Sequence, residues 1–133
     1  MKNKLRQFFP AAAFGVFMLV MATIPTQGIK NIEKIHPLFR WILSDYVLHF
    51  SVFVVFTLLL CHAYRRLKFY PFPFARIAFF SIAFGLYIEI YQLLIPYRSF
   101  SLKDLGADIA GTAAALILYF FLTKGKSRNT SKA

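Results

Sequence analysis

Four long apolar runs, separated by short segments rich in charged residues and prolines, constrain this chain more than any other feature. They predict membrane-spanning helices at about 8–24, 42–62, 74–95 and 105–122. A helix needs roughly 20 apolar residues to cross a hydrocarbon core about 30 Å thick, and each run is close to that length. The predicted fold class is therefore all-α, an integral membrane protein built as a four-helix transmembrane bundle.

The composition indicates that lipid, rather than water, is the solvent of this chain. Hydrophobic residues make up 59% of the 133 residues and charged residues only 16%, whereas about a quarter of the residues in a soluble domain are charged. The net charge of +11 could indicate a nucleic-acid partner. Because the basic residues lie at the ends of the apolar runs, we attribute this charge to membrane topology and predict no nucleic-acid partner. The single cysteine, Cys61, excludes an intrachain disulfide.

The distribution of lysine and arginine predicts the orientation of the spans. Segment 1–7, the loop after the second span and the basic tail 124–133 together hold ten of these residues. The loops after the first and third spans hold five. By the positive-inside rule, this multi-pass protein of the cell membrane has both termini in the cytoplasm, flanking one transmembrane domain at 8–123.

Three segments outside the later spans need a separate interpretation. The first apolar run is read as an uncleaved span, although its small residues near Ala22 would also suit a cleaved signal peptide. Segment 26–40 is weakly amphipathic and is predicted to lie at the membrane interface, followed by Trp41 at interfacial depth. The basic tail is predicted to be structureless.

Polar side chains interrupt the last three spans at a similar depth. At about 1.5 Å per residue, His49 and Glu89 lie roughly 9–10 Å inside the outer boundary of the hydrocarbon core, and Asp108 about 5 Å inside it. Ionisable groups are costly in hydrocarbon, so these helix faces should turn towards each other and form a pocket that opens outward. The candidate pocket residues are Asp45, His49, Glu89, Gln92, Arg98, Asp104 and Asp108.

Some of these residues also have structural interpretations. Asp104 fits a capping box with Ser101 at the start of the fourth span. His49 could be a core histidine bonded to a backbone carbonyl. Glu89 has no evident capping role in mid-helix, so it must be paired or protonated, and Arg98 or His49 is the available cation. We predict Glu89 and Arg98 as the functional pair.

The fourth span also carries a surface of small residues, which lets another helix approach closely and makes an oligomer possible. The residues of this surface are Gly106, Ala107, Ala110, Gly111, Ala114 and Ala115.

The order of the polar residues resembles the signature of the VanZ-like family, over about residues 40–122. These are small bacterial membrane proteins named for a member linked to low-level teicoplanin resistance. Two positions depart from the family: Tyr46 stands where lysine is frequent, and Asp108 where asparagine is frequent. The resemblance implies a setting in the cell envelope rather than a reaction. The matching elements are Asp45-x3-His49, Glu89-x2-Gln92, Pro96-x-Arg98, Asp104 and Gly111.

Three functions are compatible with these observations, and whether a reaction is catalysed is left open. The favoured hypothesis is recognition of a lipid-linked cell-wall component or a lipoglycopeptide such as teicoplanin, with Arg98 as anion anchor and no cofactor or metal. The second is an enzyme acting on an envelope lipid headgroup, either by acid/base chemistry or through a metal. The third is an ion path, which is weakest because the polar residues stop in the outer third. The metal variant would use Asp45, His49, Glu89 and Asp108.

Overall fold

The computed structural model describes residues 2–24, 45–67 and 73–130, with side chains described for 5–24, 45–67 and 73–124. Within these ranges the chain forms four helices and no strand. Helix α1 spans Lys2–Thr23, α2 Asp45–Arg66, α3 Phe74–Gln92 and α4 Leu102–Thr130. The predicted interfacial segment 26–40 and Trp41 lie outside the described residues.

Each helix contains a stretch that is long and apolar enough to cross a membrane. These stretches are Leu5–Thr23, Asp45–Arg66, Phe74–Gln92 and Leu102–Lys124. The predicted all-α fold class is therefore confirmed, and the chain is a multi-pass membrane protein. With four successive spans, the end of α1, the start of α2, the end of α3 and the start of α4 share one face of the membrane.

Helix α3 ends at Gln92, three residues before the predicted end of the third span. The backbone N–H groups of Leu93, Leu94 and Ile95 each donate to the carbonyl three residues earlier, so the helix tightens into turns. Pro96 explains this ending, because a proline cannot donate a backbone hydrogen bond and disfavours helical backbone in the residue before it.

Helix α4 is longer than predicted at both ends. It begins directly after Ser101, whose Oγ accepts a hydrogen bond from the N–H of Asp104 at 3.3 Å and caps the helix. At the other end it continues to Thr130, so the predicted structureless tail is wrong as far as that residue. Extending an existing helix costs far less than nucleating one, and no proline interrupts the stretch that follows the apolar run.

Helix α2 lies at the centre of the bundle, with α4 on one side and α1 on the other. A Cβ atom at Gly111 would collide with the backbone carbonyl oxygen of Phe50, so glycine lets α2 and α4 approach this closely. Gly111 and Ala115 are both buried. This part of the small-residue surface is thus used within the chain, whereas Gly106 and Ala110 remain exposed. Association of two chains through the surface stays a prediction.

The buried apolar cluster comes from α1, α2 and α3, and Leu116 and Tyr119 of α4 pack against it. Around the outside of the bundle many large apolar side chains are exposed, among them Phe79 at 69% and Phe121 at 65%. Such a surface is expected where lipid replaces water around a helical bundle. The buried core residues are Ala11, Met18, Ala22, Phe53, Phe56, Leu60, Cys61, Ile77 and Ile88.

Candidate functional site

Three helices each place one ionisable side chain at the same point near one end of the bundle. His49 comes from the second turn of α2, Glu89 from the last turn of α3 and Asp108 from the second turn of α4. His49 Nδ1 lies 2.9 Å from Asp108 Oδ1, within hydrogen-bond distance, and 4.0 Å from Glu89 Oε1. Both carboxylates are fully buried, while the histidine side chain retains 15% exposure. We call these three residues the His–carboxylate cluster.

A glycine on α3 leaves space for the Asp108 carboxylate of α4. Asp108 Oδ2 faces Gly85 of α3, where an added Cβ atom would lie only 2.8 Å from that oxygen. Any larger residue at this position would push the Asp108 carboxylate out of line with His49. Gly85 therefore allows the Asp108 carboxylate to lie next to His49.

Glu89 has a second role that the sequence did not reveal, because it lies in the last turn of α3 rather than in mid-helix as predicted. Its Oε2 accepts a hydrogen bond of 2.8 Å from the backbone N–H of Ser101, the residue that caps α4. In a capping box that N–H would bond to the side chain three residues later, here Asp104. Of the two hydrogen bonds in the predicted capping box, the one from the Asp104 N–H to Ser101 Oγ is formed. Glu89 replaces Asp104 as the acceptor for the Ser101 N–H. The local spacing could not predict this because the partners lie 12 residues apart on different elements.

His49, one of the two cations predicted as partners of Glu89, lies 4.0 Å from it, whereas Arg98 makes no ion pair with it in the described part of the chain. Arg98 Nη2 instead donates a hydrogen bond of 2.9 Å to the backbone carbonyl of Ile24, just after α1. The ion pairs among the described residues all involve His49. Arg98 therefore ties the turn between α3 and α4 to the end of α1, and its Nε is buried without a hydrogen-bond partner among the described residues.

A cavity of about 190 Å³ opens beside the cluster, between α1, α2 and α3. Its polar groups all come from the end of the bundle where the cluster lies: Asp45 begins α2, His49 is one turn further, Gln92 ends α3 and Arg98 follows it. Deeper in the bundle the walls are apolar. The apolar lining residues include Phe17, Met18, Leu48, Val52, Phe53 and Ile88.

The seven candidate residues thus fall into three groups according to their surroundings. Asp45, His49, Gln92 and Arg98 line the cavity. Glu89 and Asp108 are buried and contact His49. Asp104 is half-buried in the first turn of α4, and its described hydrogen bond is the backbone contact with Ser101.

The contribution of α1 to the cavity was missed from the sequence. Its residues Phe17, Met18, Met21 and Ala22 form one wall, and Ile24 provides the carbonyl for Arg98. In the sequence they are part of an apolar run with no polar marker. Side chains that act only as walls leave no pattern that distinguishes them from residues facing lipid.

Polar groups extend further into the bundle than predicted. Thr57, Ser81 and Thr112 are buried together, with Thr57 Oγ1 3.1 Å from Ser81 Oγ and 3.4 Å from Thr112 Oγ1. This layer lies eight residues beyond His49 on α2, or about 12 Å deeper. The expectation that polar residues stop in the outer third is therefore wrong. The buried side chains described beyond Thr57 on α2, among them Leu60 and Cys61, do not continue the hydroxyl layer.

The cluster has two chemical capabilities. His49 Nδ1 faces the carboxylates, and its Nε2 has no hydrogen-bond partner among the described residues. Because His49 also lines the cavity, its ring can exchange a proton with a molecule there. In addition, Glu89 Oε1 and Asp108 Oδ2 are buried oxygen acceptors without a partner in the described part of the chain. Buried polar atoms are normally satisfied, so these two oxygens are available to accept a hydrogen bond or to bind a cation.

A helical membrane bundle with a His–carboxylate cluster at one end, beside a cavity that is polar at that end, defines this protein as a small multi-pass membrane protein with a buried ionisable site. The chain belongs to the VanZ/LLP1 family, whose profile matches residues 7–123. This confirms the resemblance and extends it to α1, which the signature residues did not include. Comparisons with curated proteins and with solved structures give no significant match.

Proposed function

We propose that this protein recognises the polar headgroup of an amphiphile in the outer leaflet of the cell membrane, either a lipid-linked cell-wall component or a lipoglycopeptide of the teicoplanin type. The observation that supports this function is the cavity, whose apolar walls lead to Asp45, His49, Gln92 and Arg98 at one end. An amphiphile lying along the bundle would place its chain against the walls and its headgroup among these side chains.

The size of the cavity limits what enters it. At about 190 Å³ it is smaller than the ~300–1,000 Å³ typical of sites that enclose a drug-sized ligand. It suits one headgroup fragment, such as a phosphate or a sugar ring, or a short stretch of acyl chain. The rest of a lipid or a lipoglycopeptide would remain outside, in the membrane. Recognition of a shared fragment is thus favoured over enclosure of a whole antibiotic.

Arg98 is the proposed contact for an anionic headgroup. Arg98 lines the cavity, its Nη2 donates to the carbonyl of Ile24, and its Nε has no hydrogen-bond partner among the described residues. A guanidinium positioned in this way can donate charge-assisted hydrogen bonds to a phosphate or carboxylate. Gln92 and His49 can donate or accept further hydrogen bonds with hydroxyl and amide groups.

The proposal requires the polar end of the cavity to face the outside of the cell. The distribution of lysine and arginine supports this, with both termini in the cytoplasm. We expect alkaline phosphatase fused after Arg98 to be active and the same enzyme fused after Lys68 to be inactive, since this reporter folds only outside the cytoplasm. The opposite pattern of activities would reject the orientation and the outward-facing site together.

Arg98→Ala tests the headgroup contact directly. Removing a charge-assisted hydrogen bond costs about 1.5–3 kcal/mol, so an anionic amphiphile should bind roughly 10–100-fold more weakly. We expect native mass spectrometry of protein extracted from membranes to show an amphiphile on the wild-type chain and little on the variant. In cells matched for protein level, any glycopeptide tolerance should fall in parallel.

Lys103→Ala is the matched control, because Lys103 is exposed in the first turn of α4 and does not line the cavity. It removes one positive charge from the same end of the bundle and should leave the bound amphiphile unchanged. Melting temperatures of both variants separate a lost contact from a loosened loop, since Arg98 also binds Ile24. Equal amphiphile occupancy in the wild type and Arg98→Ala would reject the proposed contact.

A further inference from the structure

We propose that the His–carboxylate cluster binds one divalent transition-metal ion through His49 Nδ1, one oxygen of Glu89 and one oxygen of Asp108. This inference goes beyond headgroup recognition and does not depend on it. The three donor atoms lie within 4.8 Å of one another, and each is supplied by a different helix.

The distances suit a metal ion with small adjustments of the side chains. With bonds of about 2.1 Å, two ligands of a tetrahedral zinc ion are about 3.4 Å apart. The His49 Nδ1 atom is 2.9 Å from Asp108 Oδ1 and 4.0 Å from Glu89 Oε1, one shorter and one longer than that separation. Shifts of about half an ångström, within the reach of side-chain rotation, would make both separations equal.

The charges and unpartnered atoms of the cluster also favour a cation. Two carboxylates are fully buried opposite one histidine, which can neutralise only one of them. Glu89 Oε1 and Asp108 Oδ2 are left without a hydrogen-bond partner among the described residues. An ion with two positive charges would balance both carboxylates and occupy at least one of these free oxygens. The hydrogen bond between His49 and Asp108 neither balances the charge of Glu89 nor supplies a partner for Glu89 Oε1.

The donor set indicates which ion to expect. Magnesium and calcium prefer oxygen ligands throughout, whereas one imidazole with two carboxylates suits zinc, manganese or iron(II). Three protein ligands leave a coordination position open, as in zinc sites that also bind a water or a substrate. Asp45 is exposed and lies outside the group, so the set of four ligands considered from the sequence is reduced to three.

The test is metal binding by the full-length protein in detergent, after treatment with a chelator. Zinc, manganese(II) or iron(II) is added to separate samples, the excess is removed, and the bound metal is counted by elemental mass spectrometry. Calorimetry gives the affinity, and cobalt(II) absorption reports the ligand geometry. We expect one ion per chain, with affinity at least about 100-fold lower in His49→Gln, Glu89→Gln and Asp108→Asn, because even the supporting partners of metal ligands matter 10- to 100-fold.

Two controls separate this site from adventitious binding. His62→Ala removes an exposed histidine that bonds to Arg66 at the other end of α2, and it should bind zinc like the wild type. Asp45→Asn should also retain the ion, because Asp45 is exposed and lies outside the group of three donors. The isosteric variants Glu89→Gln and Asp108→Asn are checked for folding by their metal-free melting temperatures.

The proposal is overturned if chelated wild-type protein takes up no zinc, manganese or iron(II), or if all three cluster variants bind as tightly as the wild type. Either result would make the cluster a metal-free ion-pair network. The outcome is independent of headgroup recognition, because Arg98→Ala should lose the amphiphile and keep the metal ion.

Discussion

Gly111→Ala is expected to destabilise the bundle strongly, whereas the same exchange at Gly106, also on α4, should not. The added Cβ atom would overlap the carbonyl oxygen of Phe50 and press on the Phe53 side chain. Because the obstacle is backbone, α2 and α4 must separate along their contact. Overpacking typically costs about 1–3 kcal/mol, and we expect a loss of about 3 kcal/mol in the free energy of unfolding. Denaturant titration in detergent micelles, followed by circular dichroism, measures it.

Gly106→Ala provides the matched control on the same helix. No atom lies within 4 Å of a Cβ atom added at Gly106, and the residue is exposed. Alanine is favoured over glycine inside a helix by about 1 kcal/mol, so this variant should be as stable as the wild type or slightly more stable. Similar unfolding curves for the two variants would contradict the close approach of α2 and α4 at Gly111.

The architecture was predictable because membrane spans depend on local properties. Apolar runs of sufficient length, interrupted by charges and prolines, give the number of helices without any knowledge of their packing. Helix ends were also partly visible, since Pro96 and Ser101 mark the end of α3 and the start of α4. The extension of α4 to Thr130 is not predictable from the polar composition of residues 124–130, because the preceding apolar turns support the helix there.

The gathering of polar residues was predictable in outline, but the partners of each residue were not. Equal depth and the cost of facing lipid bring His49, Glu89 and Asp108 to one level of the membrane. Whether Arg98 turns towards Glu89 or towards Ile24 depends on where α1 ends relative to the turn after α3. That relation is tertiary and has no local pattern in the sequence.

The same limit applies to the cavity and its relation to the cluster. The depth argument predicted one pocket for all the polar residues. The structure instead separates a cavity lined by His49 and Arg98 from the buried carboxylates Glu89 and Asp108. His49 belongs to both, because its Nδ1 faces the carboxylates while its ring lines the cavity. Any coupling between headgroup binding and the cluster would therefore pass through this histidine.

Substitutions of Glu89 are expected to separate its two roles. Glu89→Ala removes the acceptor for the Ser101 N–H and leaves a void next to His49. An unsatisfied buried donor costs about 1–3 kcal/mol, and the void adds to this, so we expect a loss of about 3 kcal/mol in stability. Glu89→Gln keeps a carbonyl oxygen that can accept the same hydrogen bond, and it should lose less than about 1 kcal/mol. Unfolding in detergent measures both changes.

Zinc binding and glycopeptide tolerance of Glu89→Gln then show whether the negative charge of Glu89 has a role beyond accepting the hydrogen bond from Ser101. If Glu89 only joins α3 to the start of α4, the variant should match the wild type in zinc binding and in glycopeptide tolerance at equal protein level. We expect it instead to fold normally and to bind zinc at least about 100-fold more weakly, because a neutral amide cannot balance a cation at the cluster. The tolerance should also be lost, because His49 lines the cavity and would lose one of its two charged partners. Full retention of both properties would make Glu89 a structural residue and remove the carboxylate pair from the functional site.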